Sequence, residues 1–179
     1  AIEKSHLEGL KSLKNIADAK SEVLESLDKK GCLIINNDTN YNQFIKSKAK
    51  KLGIQNIITY GKGRENNIRL LSFSLSNKKY LVQALCYGKK ISWLMPSLGE
   101  HWIYNSLSIL GLAVYFKIDF TKILGALSSF EVPQGRGNII NLRYKDRCFL
   151  LIDDSYNSNP ASLITSLKNF SKLKVMGKK

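Results

Sequence analysis

Two short apolar runs with one amphipathic segment between them constrain this chain more than any other feature. GCLIIN (31–36) reads as a buried strand closed by Asn37-Asp38, and NIITYG (56–61) reads as a second. Between them, YNQFIKSKAKKLG (41–53) sets Tyr41, Phe44, Ile45, Lys48, Ala49 and Leu52 at helical spacing and stops at Gly53. Strand, helix and strand with short connections argue a right-handed crossover and parallel pairing. Upstream, a helix is expected over 15–27, with Ile16, Ala19, Val23 and Leu27 as its stripe and Lys20 off it.

The rhythm changes after residue 61. IRLLSFSL, KYLVQALCY and ISWLM follow one another with only SNKK and GKK turns between, which predicts an antiparallel insert packed on the α/β core, at about 62–96. Helices are expected from near Gly99 to Tyr115 and over about 120–129. The loop VPQGRG (132–137) precedes a hairpin, NIINLRY and CFLLID, turned at Lys145-Asp146. A last helix is expected from Asn159-Pro160, carrying Leu163, Ile164, Leu167 and Phe170. The fold class is therefore α/β, a mostly parallel sheet flanked by helices with a small antiparallel insert.

Composition narrows the partners. Apolar content of 44% and charged content of 23% belong to a globular chain. No apolar run reaches the roughly 20 residues of a membrane span, and the opening AIEKSHLEGLKSLK lacks the apolar stretch of a signal peptide. Cys32, Cys86 and Cys148 form no CxxC pair and are expected as buried free thiols in a reducing cytoplasm. The net charge of +14 raises nucleic acid as a partner. Yet the lysines come in ones and twos, without a zinc-finger, RRM or helix-turn-helix pattern, so a solvated basic surface is expected and no nucleic acid.

The stretch FLLIDDSYNSNPAS (149–162) ends an apolar strand on Asp153 and Asp154 and passes directly to a helix start. In open α/β sheets ligands bind outside the carboxyl ends of strands, and a helix N-terminus there suits an anion. The residues alone leave a ligand site and a plain strand-to-helix turn equally open. His6 reads by itself as a surface histidine, Lys20 as a solvated lysine, and Arg136 as one guanidinium in a flexible Gly135–Gly137 loop. His101 and Asn105 share one face of their helix, where a cap or a core hydrogen bond serves as well as a ligand.

Taken in order, HLEGL…IADAKSE, NNDTN, LGEHWIYNSL, PQGRG and IDDSYNSNPAS resemble the Mur ligases over nearly the whole chain, from about His6 to Leu167. The DSYNSNP turn resembles the branch that joins D-alanyl-D-alanine to UDP-N-acetylmuramoyl-tripeptide. The resemblance implies a P-loop NTPase-like central domain and an ATP- and Mg2+-dependent amide ligase of cytoplasmic peptidoglycan synthesis, expected as a monomer. ATP phosphorylates the peptide carboxylate, and the dipeptide amine attacks the acyl phosphate. It further implies His6 as a magnesium ligand and Lys20 as a carbamylated lysine, a cation turned into a carboxylate-like metal partner. By the same resemblance Asn105 contacts adenine, Arg136 lies near the nucleotide phosphates, and Asp154 bonds the ribose. Tyr156 and Asn157 continue that site, and Asp153 is structural. Another Mur ligase, a folylpolyglutamate-type ligase and a basic nucleic-acid-binding domain stand as alternatives.

The chain also departs from that pattern. Trp102 stands where many relatives have Asn, Glu100 where Arg is frequent, and Lys11 where glycine is usual. No G-x-x-x-x-G-K-[ST] loop occurs, and GKGREN (61–66) lacks its spacing. The expected organisation is a central domain over 1–173, cut at its amino end, with 174–179 beginning a linker. The uridine-binding domain and the P-loop are expected to be absent, which leaves the chain inactive by itself.

Overall fold

The computed structural model describes residues 11–76, 79–96, 99–156 and 160–172. Helix α1 (Leu13–Ser21) starts where the Ser12 hydroxyl accepts the Asn15 amide at 3.1 Å, and a 3₁₀ turn (Glu22–Ser26) follows it. The tighter winding changes which side chains face inward. Ile16, Ala17, Ser21 and Leu24 are buried, whereas Val23 is 70% exposed, so the expected stripe through Ala19 and Val23 is corrected.

Strands β1 (Cys32–Asn36) and β2 (Asn56–Gly61) pair in parallel across α2 (Asn42–Lys51), from Cys32 opposite Asn56 to Asn36 opposite Tyr60. Strands β3 (Ile68–Ser76), β4 (Lys79–Cys86) and β5 (Lys89–Met95) then continue the same sheet in the order β1-β2-β3-β4-β5. The α/β class stands. The antiparallel strands, however, are the sheet's other half rather than a layer laid upon it. The reason is the β2–β3 junction. Parallel neighbours normally need a long crossover, but these overlap only at Tyr60–Ile68 and Gly61–Arg69, so β3 runs on past the point where β2 stops.

Helix α3 (Glu100–Tyr115) lies over β1, β2 and the start of β3, and α4 (Phe120–Ser128) lies over β5. Ile103, Leu107 and Leu110 form its fully buried stripe, packed with Ile68, Val82 and Trp93. Near its carboxyl end the Tyr115 hydroxyl donates to the Lys30 carbonyl (2.9 Å), ahead of β1; near its amino end Tyr104 reaches Asp38, beyond β1. So α3 runs antiparallel to β1 and aims its first turn at the carboxyl edge of the sheet. Gly111 permits this approach, because a Cβ there would stand 2.8 Å from Cγ2 of Ile34.

On the opposite face of β1 and β2, Leu24, Ala49 and Ile54 make a second, smaller core. Strands β6 (Asn138–Tyr144) and β7 (Arg147–Asp153) form a separate two-stranded hairpin, and α5 (Pro160–Lys172) follows. Asp153 and Asp154 therefore close a hairpin and not a strand of the main sheet. Asn159 lies outside the described residues. Cys86 is buried and Cys32 half-buried, with burial pushing both thiols up in pKa, but Cys148 is exposed, against the expectation for it. No helix among the described residues is long and apolar enough to cross a membrane.

Candidate functional site

At the carboxyl end of β1 the chain turns through Asn36, Asn37 and Asp38. The Asn36 side chain accepts the Asp38 amide at 2.9 Å, the Asn37 amide donates to the Tyr60 carbonyl at 2.8 Å, and the Asn42 side chain donates to the Asn37 carbonyl. Lys46 donates to Oδ1 of Asn37 (2.7 Å), and Nδ2 of Asn37 donates to Glu65 (3.0 Å). Asp38 is thereby aimed at the end of β2, where its two oxygens accept the Lys62 amide at 3.0 and 2.9 Å. The Tyr104 hydroxyl donates to Oδ2 of Asp38 at 3.4 Å. The NNDTN motif by itself assigns Asp38 no role. The available signal was a carboxylate placed just after a buried parallel strand.

A second cluster of candidate residues lies at the hairpin's open end. The Gly137 amide donates to the Asp153 carbonyl (2.7 Å) and the Tyr156 amide to the Gly135 carbonyl (3.0 Å), zipping the glycine loop onto 153–156. Gly135 adopts φ 76°, which favours glycine, and a Cβ there would stand only 3.0 Å from the Tyr156 amide nitrogen. Held this way, Arg136 stacks on the Tyr156 ring with its guanidinium carbon 4.0 Å from the centroid. Face stacking leaves the in-plane N–H fork of the guanidinium available to an anion. Asp153 accepts both the Ser155 hydroxyl (2.6 Å) and amide (3.2 Å), and the hydroxyl foremost holds its carboxyl below the usual range, in keeping with a structural role. The Ser166 hydroxyl of α5 donates to Asp154.

His101 stands in the first turn of α3. Its ring lies over the Gly99 backbone and against Trp102, with centroids 5.0 Å apart, while its outer edge remains open to solvent. Trp102 packs in turn on Phe130, with ring centroids 4.9 Å apart. Burial lowers the His101 pKa from the ordinary 6.5; Asp154 pulls it up and Arg136 pushes it down again. The 136 and 154 loops therefore stand within electrostatic reach of α3's first turn. A histidine held below its unfolded pKa favours the neutral form in the native state. Its contribution is complete above the unfolded value and is lost as pH falls through the folded one. Between pH 7 and pH 5 the protein is thus expected to lose more stability than its His101→Gln variant does, as read from urea midpoints. Titration of this imidazole above 6.5 by NMR would reverse that sign.

Of the residues singled out from sequence, Arg136, Asp154 and Tyr156 come together. Asn105 is exposed one turn along α3 from His101, on the face the spacing predicts. Lys20 stands apart, beside a cavity of about 210 Å³ that also touches Leu24, Ile35, Asn36, Thr39 and Tyr60. That cavity adjoins the same carboxyl end of β1. His6 and Asn157 lie outside the described residues. A magnesium ion needs several oxygen donors. The lining beside Lys20 offers the side-chain oxygens of Asn36, Thr39 and Tyr60 and no carboxylate, and no group of three or more His, Cys, Asp or Glu occurs among the described residues. By themselves these residues do not fit the ion.

The family profile described as Mur ligase middle domain matches residues 1–113. The UDP-N-acetylmuramoyl-tripeptide--D-alanyl-D-alanine ligase of Buchnera aphidicola (subsp. Baizongia pistaciae) is 36% identical over 92% of this chain and 34% of its own length. MurF from Acinetobacter baumannii superposes with a TM-score of 0.84 at 22% identity, over 97% of this chain and 36% of that one. The MurF ligase from Thermotoga maritima in complex with ADP gives 0.77 at 16% identity, over 97% and 38%. The chain spans about a third of the length of the curated relatives it matches.

Proposed function

The chain belongs to the Mur ligase middle-domain family, and from that premise we propose that it is the central, nucleotide-holding domain of an ATP-dependent amide ligase. The reaction, assigned to the full-length protein, joins D-alanyl-D-alanine to UDP-N-acetylmuramoyl-tripeptide in cytoplasmic peptidoglycan synthesis, with the protein acting as a monomer. A carboxylate is a poor electrophile. Transfer of the terminal phosphoryl of ATP to a carboxylate oxygen makes an acyl phosphate and releases ADP. The dipeptide amine then attacks the acyl carbon and loses a proton, and inorganic phosphate leaves as the amide forms.

The residues of this chain bind and orient in that scheme. Arg136, pre-set by its stack on Tyr156, offsets charge on the nucleotide phosphates. Asp154 accepts hydrogen bonds from ribose hydroxyls, and Asn105 faces the base from α3. Asn157 continues this nucleotide site. Carbamylation of Lys20, together with His6, would supply the magnesium-side ligands that the described residues lack by themselves. The observation that supports the reading most is the Arg136 guanidinium held by its stack on Tyr156, two residues from Asp154, in a chain whose curated relatives bear this ligase name.

Phosphate release tests it. The full-length protein is supplied with ATP, magnesium, UDP-muramoyl tripeptide and D-alanyl-D-alanine, the last two separately and together. Release is expected only with both, in lysine- or diaminopimelate-containing peptides according to the natural substrate. The 179-residue chain, lacking a G-x-x-x-x-G-K-[ST] loop, is expected to release none. Release driven instead by L-alanine or by a folyl substrate would overturn the assignment.

A further inference from the structure

Two aspartates end the hairpin, and the chain holds them in different ways. Asp153 is engaged locally, where it accepts the Ser155 hydroxyl at 2.6 Å and the Ser155 amide at 3.2 Å and closes a tight turn. Asp154 is exposed, and it is held from another element. The hydroxyl of Ser166, twelve residues further on and within α5, donates to its Oδ2.

The direction of that hydroxyl sets Ser166 apart. A serine inside a helix commonly turns its hydroxyl back onto a carbonyl of its own helix. Ser106, Ser108, Ser128 and Ser171 do so here, donating at 2.7–2.8 Å to carbonyls three or four residues earlier. Ser166 instead reaches across to a carboxylate.

The contact has a chemical consequence. The last side-chain torsion of an aspartate is broad, so the plane of an exposed carboxyl is poorly defined by itself. A bond to Oδ2 selects one plane. A carboxylate has about four acceptor positions on its two oxygens, so Oδ1 and part of Oδ2 stay available. Two adjacent acceptors held in one plane suit the neighbouring 2′- and 3′-hydroxyls of a ribose. An acceptor oriented before its ligand arrives also loses less freedom on binding. The backbone beside it is fixed as well, through the bonds from the Gly137 amide to the Asp153 carbonyl and from the Tyr156 amide to the Gly135 carbonyl.

We propose that Ser166 is a positioning residue of the nucleotide site, orienting the Asp154 carboxylate toward the ribose hydroxyls and so contributing to the preference for a ribose over a deoxy sugar. The proposal rests on the reading of Asp154 as the ribose-binding residue.

Calorimetric titration of the full-length protein with ADP and with 2′,3′-dideoxy-ADP tests it. The unmodified protein should prefer ADP. Ser166→Ala should weaken ADP about fivefold, part of what a hydrogen bond to a charged group contributes, and leave dideoxy-ADP unchanged. Ser166→Thr keeps the hydroxyl and should recover most of the preference. Asp154→Ala should abolish it, and adding Ser166→Ala to that variant should change nothing further. Alanine is the better helix former, so the loss on ADP is expected without a lowered thermal midpoint. Undiminished preference in Ser166→Ala overturns the proposal. Equal weakening of both nucleotides also overturns it, since a merely structural serine would act that way. In either case, loss of the preference in Asp154→Ala leaves the ribose assignment standing. Absence of any preference in the unmodified protein overturns that assignment and the proposal together.

Discussion

Leu107→Ala is expected to cost about 3–5 kcal/mol of folding stability, the upper range for deleting a fully buried leucine. Leu107 is 0% exposed and sits mid-way along α3 between Ile103 and Leu110, which are also 0% exposed. The side chain is packed among buried residues of α3, β3, β4 and β5, so little can collapse into the space it leaves. Set against a total stability of about 5–15 kcal/mol for an ordinary domain, such a loss removes a large share of the folded population's margin. Urea denaturation gives the check: the midpoint should fall with the slope preserved. A change under about 1 kcal/mol would mean that α3 does not lie on the sheet as described.

The second large effect concerns binding rather than folding. Arg136→Ala should weaken ADP binding about 10- to 100-fold, because it removes a charged donor whose hydrogen bonds are each worth about 1.5–3 kcal/mol. Thermal stability should barely move, since Arg136 is exposed and its stacking on Tyr156 is a surface contact. Calorimetric titration of the variant with ADP decides the matter. An unchanged dissociation constant would remove Arg136 from the nucleotide site and leave the glycine loop with a purely structural purpose.

The sequence revealed elements better than it revealed their assembly. Strands β1 and β2 with α2 between them were legible because the apolar runs and the helical spacing of Phe44, Ile45 and Ala49 leave few other readings. The end of α1 was not, because nothing in NIADAKSEVLESL separates α-helical from 3₁₀ winding, and Val23 consequently turned outward. The continuity of β3 with β2 was hidden for another reason: it rests on two register positions, and alternation along a strand says nothing about its neighbour. At the site, Arg136, Asp154 and Tyr156 could be singled out from motifs. Asp38, Lys62 and Tyr104 could not be grouped, since they are 24 and 66 residues apart and meet only through tertiary packing.

The two cores are unequal, and that has a consequence for motion. The large one joins β3, β4, β5, α3 and α4, and the small one has Leu24, Ala49 and Ile54 at its centre. Local opening takes least free energy where the fewest apolar contacts are lost. The layer of α1, its 3₁₀ turn and α2 should therefore detach from the sheet before the rest loosens. Lys20 rides on that layer, whereas Tyr104 and His101 ride on the helix the large core holds. At the carboxyl end of the sheet the Lys20 face is therefore expected to behave as a hinged leaf, while the α3 face keeps its register as a fixed jamb.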